Sequence, residues 1–401
     1  MTNINKKTKE QTFNVSKFMA NIAIALLIFG FGWYVGAGRV SFGNLHTNEL
    51  NKNLSGSLDY SSVNDIYSSL KQKYDGQLDE AKLVEGLKSG LVKAAGDPYT
   101  EYMPPEDAKE FSGDLEGKFE GIGAELGKDK DNNIIIISPI SGYPAEKAGL
   151  MPKDIIAEVN GESTYDLSIS EVVDKIRGEK GTEVSIKVVR KGAVKDFKIT
   201  REEINIPSVK QEIKDGVGII TISRFGSDTA GLVDKAADEF VNAKVKGIVL
   251  DLRGNPGGLL DSAVKVSGLW LDNGSTILTE RRDGKIIETF EAHGTPKLGN
   301  IKTVVLVNEG SASASEIVSG ALRDNKKATL LGQKTYGKGS VQEPMELSDG
   351  GILKITIARW YTPAGKNIDK EGIEPDTKVD ITSEDIVSGR DPQLDAALKQ
   401  L

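Results

Sequence analysis

Apolar positions along this chain fall into blocks of different period. Residues 18–38 form one uncharged run, FMANIAIALLIFGFGWYVGAG. At ~1.5 Å per residue it spans a ~30 Å hydrocarbon core. Lys6, Lys7, Lys9 and Lys17 precede it against a single acid, Glu10, and Trp33 and Tyr34 sit near its far end. This pattern predicts an uncleaved signal anchor: residues 1–17 in the cytoplasm, one pass through the cell membrane, and the remainder outside. No clear A-x-A site follows the run, which argues against a removed signal peptide. Between 60 and 111, Ile66, Leu70, Leu83, Leu87 and Leu91 recur at helical spacing, with breaks at Gly76 and Asp97-Pro98. Residues 39–112 therefore read as a linker and a helical region, a spacer or dimerisation element with no chemistry assigned, and self-association is open.

The period then shortens. Residues 113–203 carry β-rich runs at 122–126, 134–137, 155–159, 184–189 and 197–199, interrupted by helical pieces at 144–148 and 169–176. From 209 the runs lengthen. A strand at 217–222 precedes a helix at 229–241 with Leu232, Ala236 and Phe240 on one face. GIVLDL at 247–252 is almost wholly apolar, as a parallel strand buried on both faces should be, and a helix at 259–271 follows. Runs at 277–280 and 286–290 flank Asp283-Gly284, a hairpin signal. The unit repeats with a strand at 304–307, a helix near 313–322 and a run at 328–331, and 352–361 is the last strand. Repeated strand–turn–helix units with hairpins predict a mixed α/β core over 204–381. Residues 382–401 read as a tail ending in a short amphipathic helix.

Composition narrows the chemistry. The net charge of -8 offers no basic face for nucleic acid. With no cysteine, disulfides and thiolate metal sites are excluded. The two histidines, His46 and His293, cannot form an HExxH zinc site, and both sit in polar surroundings. No metal and no cofactor are expected. GQKTYGKG at 332–339 imitates a phosphate-binding loop, but Gly339 stands where Ser or Thr would ligate magnesium, and a strand-like segment follows.

Two turns remain as candidate chemistry. Residues 251–258, DLRGNPGG, hold three glycines and a proline, which leave backbone N–H groups unpaired and able to stabilise an oxyanion. GSASAS at 310–315 offers three serines, Ser311, Ser313 and Ser315, among which composition does not choose. A serine nucleophile needs a base, and with both histidines unsuitable a lysine is the better candidate. Lys338 lies between Gly337 and Gly339, which let its loop fold tightly, and Gln342 can accept a hydrogen bond from the amine. Lys338 serves only when neutral, so burial must lower its pKa from ~10.4.

The segment AEKAGLMPKDIIAEVNGEST, a helix, and GTEVSIKVVRKG resemble a PDZ domain, covering 113–203. That resemblance implies that backbone N–H groups of Gly121, Ile122, Gly123 and Ala124 receive a peptide C-terminal carboxylate, with the following strand pairing to the peptide. Arg177 is a further candidate, toward peptide or catalytic domain. Together with DLRGNPGG, NEGSASASEI, KTYGKGSVQ and ARWYTPAGKNI, the module resembles the carboxyl-terminal processing proteases from about residue 60 onward. The family implies a multidomain α/β fold and a Ser-Lys dyad assisted by glutamine. Ser313 maps to the nucleophile, Lys338 to the base, Gln342 to the helper, and Ala314 with Gly257 or Gly258 to the oxyanion hole, Gly257 being favoured. Implied partners are peptides or proteins with free C-termini. The competing reading is a catalytically inactive PDZ adaptor on a protease scaffold; an α/β hydrolase is disfavoured by the missing G-x-S-x-G elbow.

Overall fold

A computed structural model describes residues 59–401. The segment expected as an anchor, 18–38, and His46 lie outside the described residues. Among the described residues no helix is long and apolar enough to cross a membrane. The chain separates into two units, the boundary falling between Asp79 and Glu80. Helix α1 (Ser61–Lys73) of the first unit buries none of its own residues.

The second unit opens with α2 (Glu80–Lys93), β1 (Glu101–Met103) and α3 (Pro105–Glu116). Residues 101–103 had been read as helical. They form a strand because they pair antiparallel with 352–354, a partner 250 residues away that no local pattern announces. Pro105 starts α3, where a missing N–H costs nothing, and Gly117 ends it in the left-handed conformation.

Ten elements follow: β2 (Lys118–Gly121), β3 (Ala124–Lys128), β4 (Ile134–Pro139), α4 (Pro144–Ala148), β5 (Ile155–Val159), β6 (Glu162–Ser163), α5 (Ile169–Ile176), β7 (Glu183–Arg190), β8 (Ala193–Thr200) and β9 (Glu202–Asn205). Strands β3, β4, β5, β7 and β8 form an antiparallel sheet in that order, and β2 pairs with β9. Alternation decides what is buried: Val184, Ile186 and Val188 point inward and are fully covered. Helix α5 is fixed at its start by a capping box, the Glu171 N–H donating to Ser168 Oγ at 3.2 Å and the Ser168 N–H to Glu171 Oε2 at 2.7 Å. It lies beside β3, whose outer edge pairs with no strand.

The remaining core comprises β10 (Val209–Lys214), β11 (Val217–Ile222), α6 (Thr229–Ala243), β12 (Gly247–Asp251), α7 (Leu260–Gly268), β13 (Thr276–Arg282), β14 (Lys285–Glu291), β15 (Thr303–Val307), α8 (Ala314–Asp324), β16 (Ala328–Gly332), β17 (Ser340–Glu346), β18 (Ile352–Tyr361), β19 (Thr377–Lys378), α9 (Ser383–Ser388) and α10 (Pro392–Gln400). One sheet runs β10-β11-β12-β15-β16-β19, antiparallel at β10–β11 and parallel thereafter. A second, antiparallel sheet holds β1, β17, β18, β13 and β14. The two-residue turn Asp283-Gly284 has φ values of 50° and 76°, as the hairpin signal requires.

Period 2 gives the parallel sheet two apolar faces. Ile220, Ile222, Leu250, Val305 and Val307 join the core that contains residues of α6, α7 and α8. Ile219, Val249, Val304 and Leu306 face the other way, where α10 covers them with Leu394, Ala397 and Leu401. What reads as a tail at 382–401 is thus a cover over the sheet. In α6 the buried stripe is Val233, Ala236, Ala237 and Phe240, with Leu232 at its margin, one position round from the expected face.

Candidate active site

Strands β12, β15 and β16 are adjacent and parallel, so the loops after them emerge at one edge of the sheet. These loops are 252–259, 308–313 and 333–339. The first two are laced together. Ala312 N–H donates to Asn255 O at 3.0 Å, Ser315 Oγ to the same carbonyl at 2.9 Å, and Ser311 Oγ to Leu252 O at 2.8 Å. Arg253 anchors the first turn from behind, paired with Asp251 at 2.6 Å and with Asp391, the N-cap of α10, at 2.8 Å.

This lacing separates the three serines. Ser311 and Ser315 are fully buried, and each hydroxyl is committed to a backbone carbonyl. Ser313 is only partly buried, lines a cavity of about 520 Å³, and its hydroxyl donates to no group among the described residues. Its backbone sits at φ 51°, ψ -113°, a conformation that costs a non-glycine residue ~1–3 kcal/mol. Burial of α8 from Ala314 to Leu322 holds that strain. So does Glu316, one turn into the helix and fully buried, whose carboxylate takes the Ser313 N–H at 2.9 Å. The same carboxylate takes Thr335 Oγ1 at 2.5 Å, Gly337 N–H at 2.8 Å and Lys338 N–H at 3.0 Å. Glu316 therefore ties the serine turn to the lysine loop. Burial pushes its carboxyl above the usual range, while those four donors pull the other way. Sequence reasoning missed Glu316, although the Ser313-x-x-Glu316 spacing is a helix-start signature.

The lysine loop is compact because its glycines admit no side chain: a Cβ on Gly337 would lie 2.8 Å from Gly372 N, and one on Gly339 2.6 Å from Asp369 N. A strand, β17, follows it, so the context of a nucleotide-binding loop is missing. Lys338 lines the same cavity as Ser313. Among the described residues its amine has no hydrogen bond and no carboxylate partner, and it makes none with Ser313; the Tyr99 ring lies 5.6 Å away. Burial holds this amine below the usual lysine range, the charge of Lys354 adds to that, and Glu316 opposes it. Gln342 lines the cavity too, and its Nε2 donates to Tyr99 O at 3.2 Å. Tyr99, and Phe111 on the cavity wall, belong to the helical region to which no chemistry had been assigned, and the structure corrects that. His293 is exposed, and no metal-binding cluster occurs among the described residues.

Of the expected oxyanion donors, Ala314 N–H opens α8 with no acceptor among the described residues. Gly257 packs against the serine: an added Cβ would sit 2.8 Å from Ser313 Cβ. Its N–H, however, is held by Asn255 Oδ1 at 2.9 Å. Gly258 N–H has no acceptor among the described residues, which moves the preference from Gly257 to Gly258.

Gly121, Ile122, Gly123 and Ala124 form the turn between β2 and β3, with Gly123 at φ 73°. The Ile122 and Gly123 N–H groups have no acceptor among the described residues. Arg177, at the end of α5, passes Gly121 with its stem. Its guanidinium is already paired within the chain, to Glu110 and, at 3.5 Å, to Asp114, both on α3. Of the two directions expected for Arg177, the guanidinium here faces α3, which borders the cavity.

Three family models match: peptidase family S41 over 216–379, a PDZ domain over 135–190, and the N-terminal domain of the activating protease CtpB over 30–107. A probable CtpA-like serine protease of Staphylococcus haemolyticus (strain JCSC1435) is 44% identical over 315 residues, 78% of this chain and 63% of that protein. One from Staphylococcus aureus (strain COL) is 43% identical over 338 residues, 82% of this chain and 68% of its own. The chain thus spans about two thirds of the length of these relatives. A solved photosystem II D1 C-terminal processing protease is 28% identical, with a TM-score of 0.50 over 80% of this chain and 87% of that one. The family S41 match spans the serine turn and the lysine loop, the PDZ match lies upstream of it, and with relatives above 40% identity the chain belongs to the CtpA-like serine proteases of peptidase family S41.

Proposed function

We propose that the chain is a membrane-anchored, extracytoplasmic serine endopeptidase that takes protein C-termini on its PDZ domain and cleaves peptide bonds through Ser313 and Lys338. One observation carries this reading: a strained serine hydroxyl and an unpaired, partly buried lysine amine share one cavity beside two unpaired backbone N–H groups. Neutral Lys338 accepts the Ser313 proton as Oγ attacks the substrate carbonyl. The N–H groups of Ala314 and Gly258 then receive the oxyanion, each worth ~3–4 kcal/mol in comparable sites. Protonated Lys338 returns its proton to the leaving amine, and the acyl-enzyme that remains is hydrolysed by a water deprotonated by the same amine. The backbones of Ser313 and Lys338 are both held by the Glu316 carboxylate, which keeps the two side chains at one cavity. Placement outside the cytoplasm rests on the uncharged run 18–38 and the lysines before it.

A membrane-impermeant fluorophosphonate probe on intact cells, with purified protein and peptide substrates in parallel, tests these elements together. Expected are labelling at Ser313, and loss of both labelling and cleavage in Ser313→Ala and in Lys338→Ala. Turnover by either variant would sink the dyad, labelling only after lysis would sink the location, and an unreactive wild type would favour the adaptor reading.

A further inference from the structure

Ser340 lies two residues beyond Lys338, at the first position of β17. It is 3% exposed, and its hydroxyl has no hydrogen-bond partner. A buried hydroxyl without a partner is disfavoured and calls for an explanation. Ser340 lines the same cavity as Ser313, Lys338 and Gln342. Lys338 sits in the loop that leads into β17, and Ser340 opens that strand. The backbone cannot carry the hydroxyl elsewhere. Ser340 is in register with Arg359 of β18, Trp360 N–H donates to Gly339 O at 3.0 Å, and Gly339 N–H donates to Asp369 Oδ1 at 3.3 Å. The Lys338 amine and the Ser340 hydroxyl are thus among the side-chain groups at this cavity that lack partners among the described residues, beside the Ser313 hydroxyl and Arg224 Nε. Gln342 offers the amine only its Oε1 as acceptor, since its Nε2 donates to Tyr99 O at 3.2 Å.

We propose that Ser340 is the positioning residue for the Lys338 base: its hydroxyl oxygen accepts an N–H of the amine and turns the amine lone pair toward Ser313. The oxygen can hold that bond before and after proton transfer, because amine and ammonium both keep N–H donors. This role rests on the Ser313–Lys338 reading and deepens it.

Ser340→Ala, Ser340→Thr, Lys338→Ala and wild type are compared for fluorophosphonate labelling rate, kcat and KM on a peptide, and thermal midpoint. Labelling requires the serine to lose its proton, so it reads the base without peptide binding. Ser340→Ala is expected to slow labelling and lower kcat by about ten- to a hundredfold, part of the ~10²–10⁴ that a positioned base contributes, with KM unchanged. Its thermal midpoint stays level or rises, because an unsatisfied buried hydroxyl has been removed. Ser340→Thr recovers most of the rate. Wild-type labelling by Ser340→Ala, or a loss that tracks a lowered midpoint and is not restored by threonine, overturns the positioning role while leaving the dyad intact. A wild type unlabelled at Ser313, or labelled equally fast without Lys338, overturns dyad and positioning role alike.

Discussion

Ser313 differs from its neighbours Ser311 and Ser315 by what its hydroxyl lacks. The outer two are consumed in holding the 252–258 turn, which leaves the middle one, on strained backbone, facing the cavity. Residue types in GSASAS carry no trace of that division, because it depends on carbonyls some sixty residues upstream. Lys338 is similarly defined by its surroundings. Its amine must be neutral to act, so cleavage should rise with pH as the amine loses its proton. Lys354 lines the same cavity and disfavours the charged form. Replacing it by glutamine removes a like charge, so the Lys338 pKa should rise and the acid limb of kcat/KM should move to higher pH. The shift should be small, because Glu101, 2.8 Å from the Lys354 amine, already offsets part of that charge. A measured profile that stays in place, or moves to lower pH, would show that Lys354 does not act on the base.

At the scale of elements, the site is an encounter between turns. Strand β15, entirely buried, and helix α8, buried from Ala314 to Leu322, fix the serine turn, and Asn255 and Arg253 fix its neighbour. The approach is close enough that Gly257, at φ 106°, has no room for a Cβ beside Ser313. Gly257→Ala should therefore push the two turns apart and misplace the Gly258 donor. The expected cost is about 10²–10³ in kcat, that of losing one oxyanion donor. Thermal unfolding and the kcat of purified Gly257→Ala check this, and a variant with wild-type kcat would mean that the turns need not touch. Much of this level was legible in the sequence. Strand periods, the Asp283-Gly284 hairpin and the glycine punctuation mark the βα units, and Gly-Lys-Gly marks a loop that must pack tightly. Glu316 had a local signature that passed unused. Tyr99 had none: its approach to Lys338 depends on β1 pairing with β18, and nothing in residues 97–103 specifies a partner so distant. The same applies to α10, whose apolar stripe was visible but whose sheet face was not.

At the scale of the whole molecule, the PDZ module is inserted between α3 and β10, so both of its connections return to the catalytic core. Helix α3 serves both partners. Phe111, Asp114 and Leu115 line the catalytic cavity, while Glu110 and Asp114 pair with Arg177 of the PDZ module. A peptide bound at the Gly121–Ala124 turn, as proposed, would sit next to the Arg177 stem, and the pairs to α3 would link it to the cavity. The strength of that link can be bounded. The side chains of Arg177, Glu110 and Asp114 are 29%, 51% and 55% exposed. Pairs so open to water contribute at most about 1 kcal/mol, which corresponds to about fivefold in an equilibrium. A free C-terminal carboxylate should accelerate cleavage relative to the amidated peptide, and Arg177→Met should change that ratio by no more than about fivefold, without unfolding the protein. The measurement is kcat/KM for matched free and amidated peptides in both proteins. Equal cleavage of the two peptides by the wild type would remove the PDZ turn from substrate selection. A ratio that collapses by a hundredfold in Arg177→Met would exceed what these pairs can transmit and would place Arg177 in direct contact with the bound peptide instead.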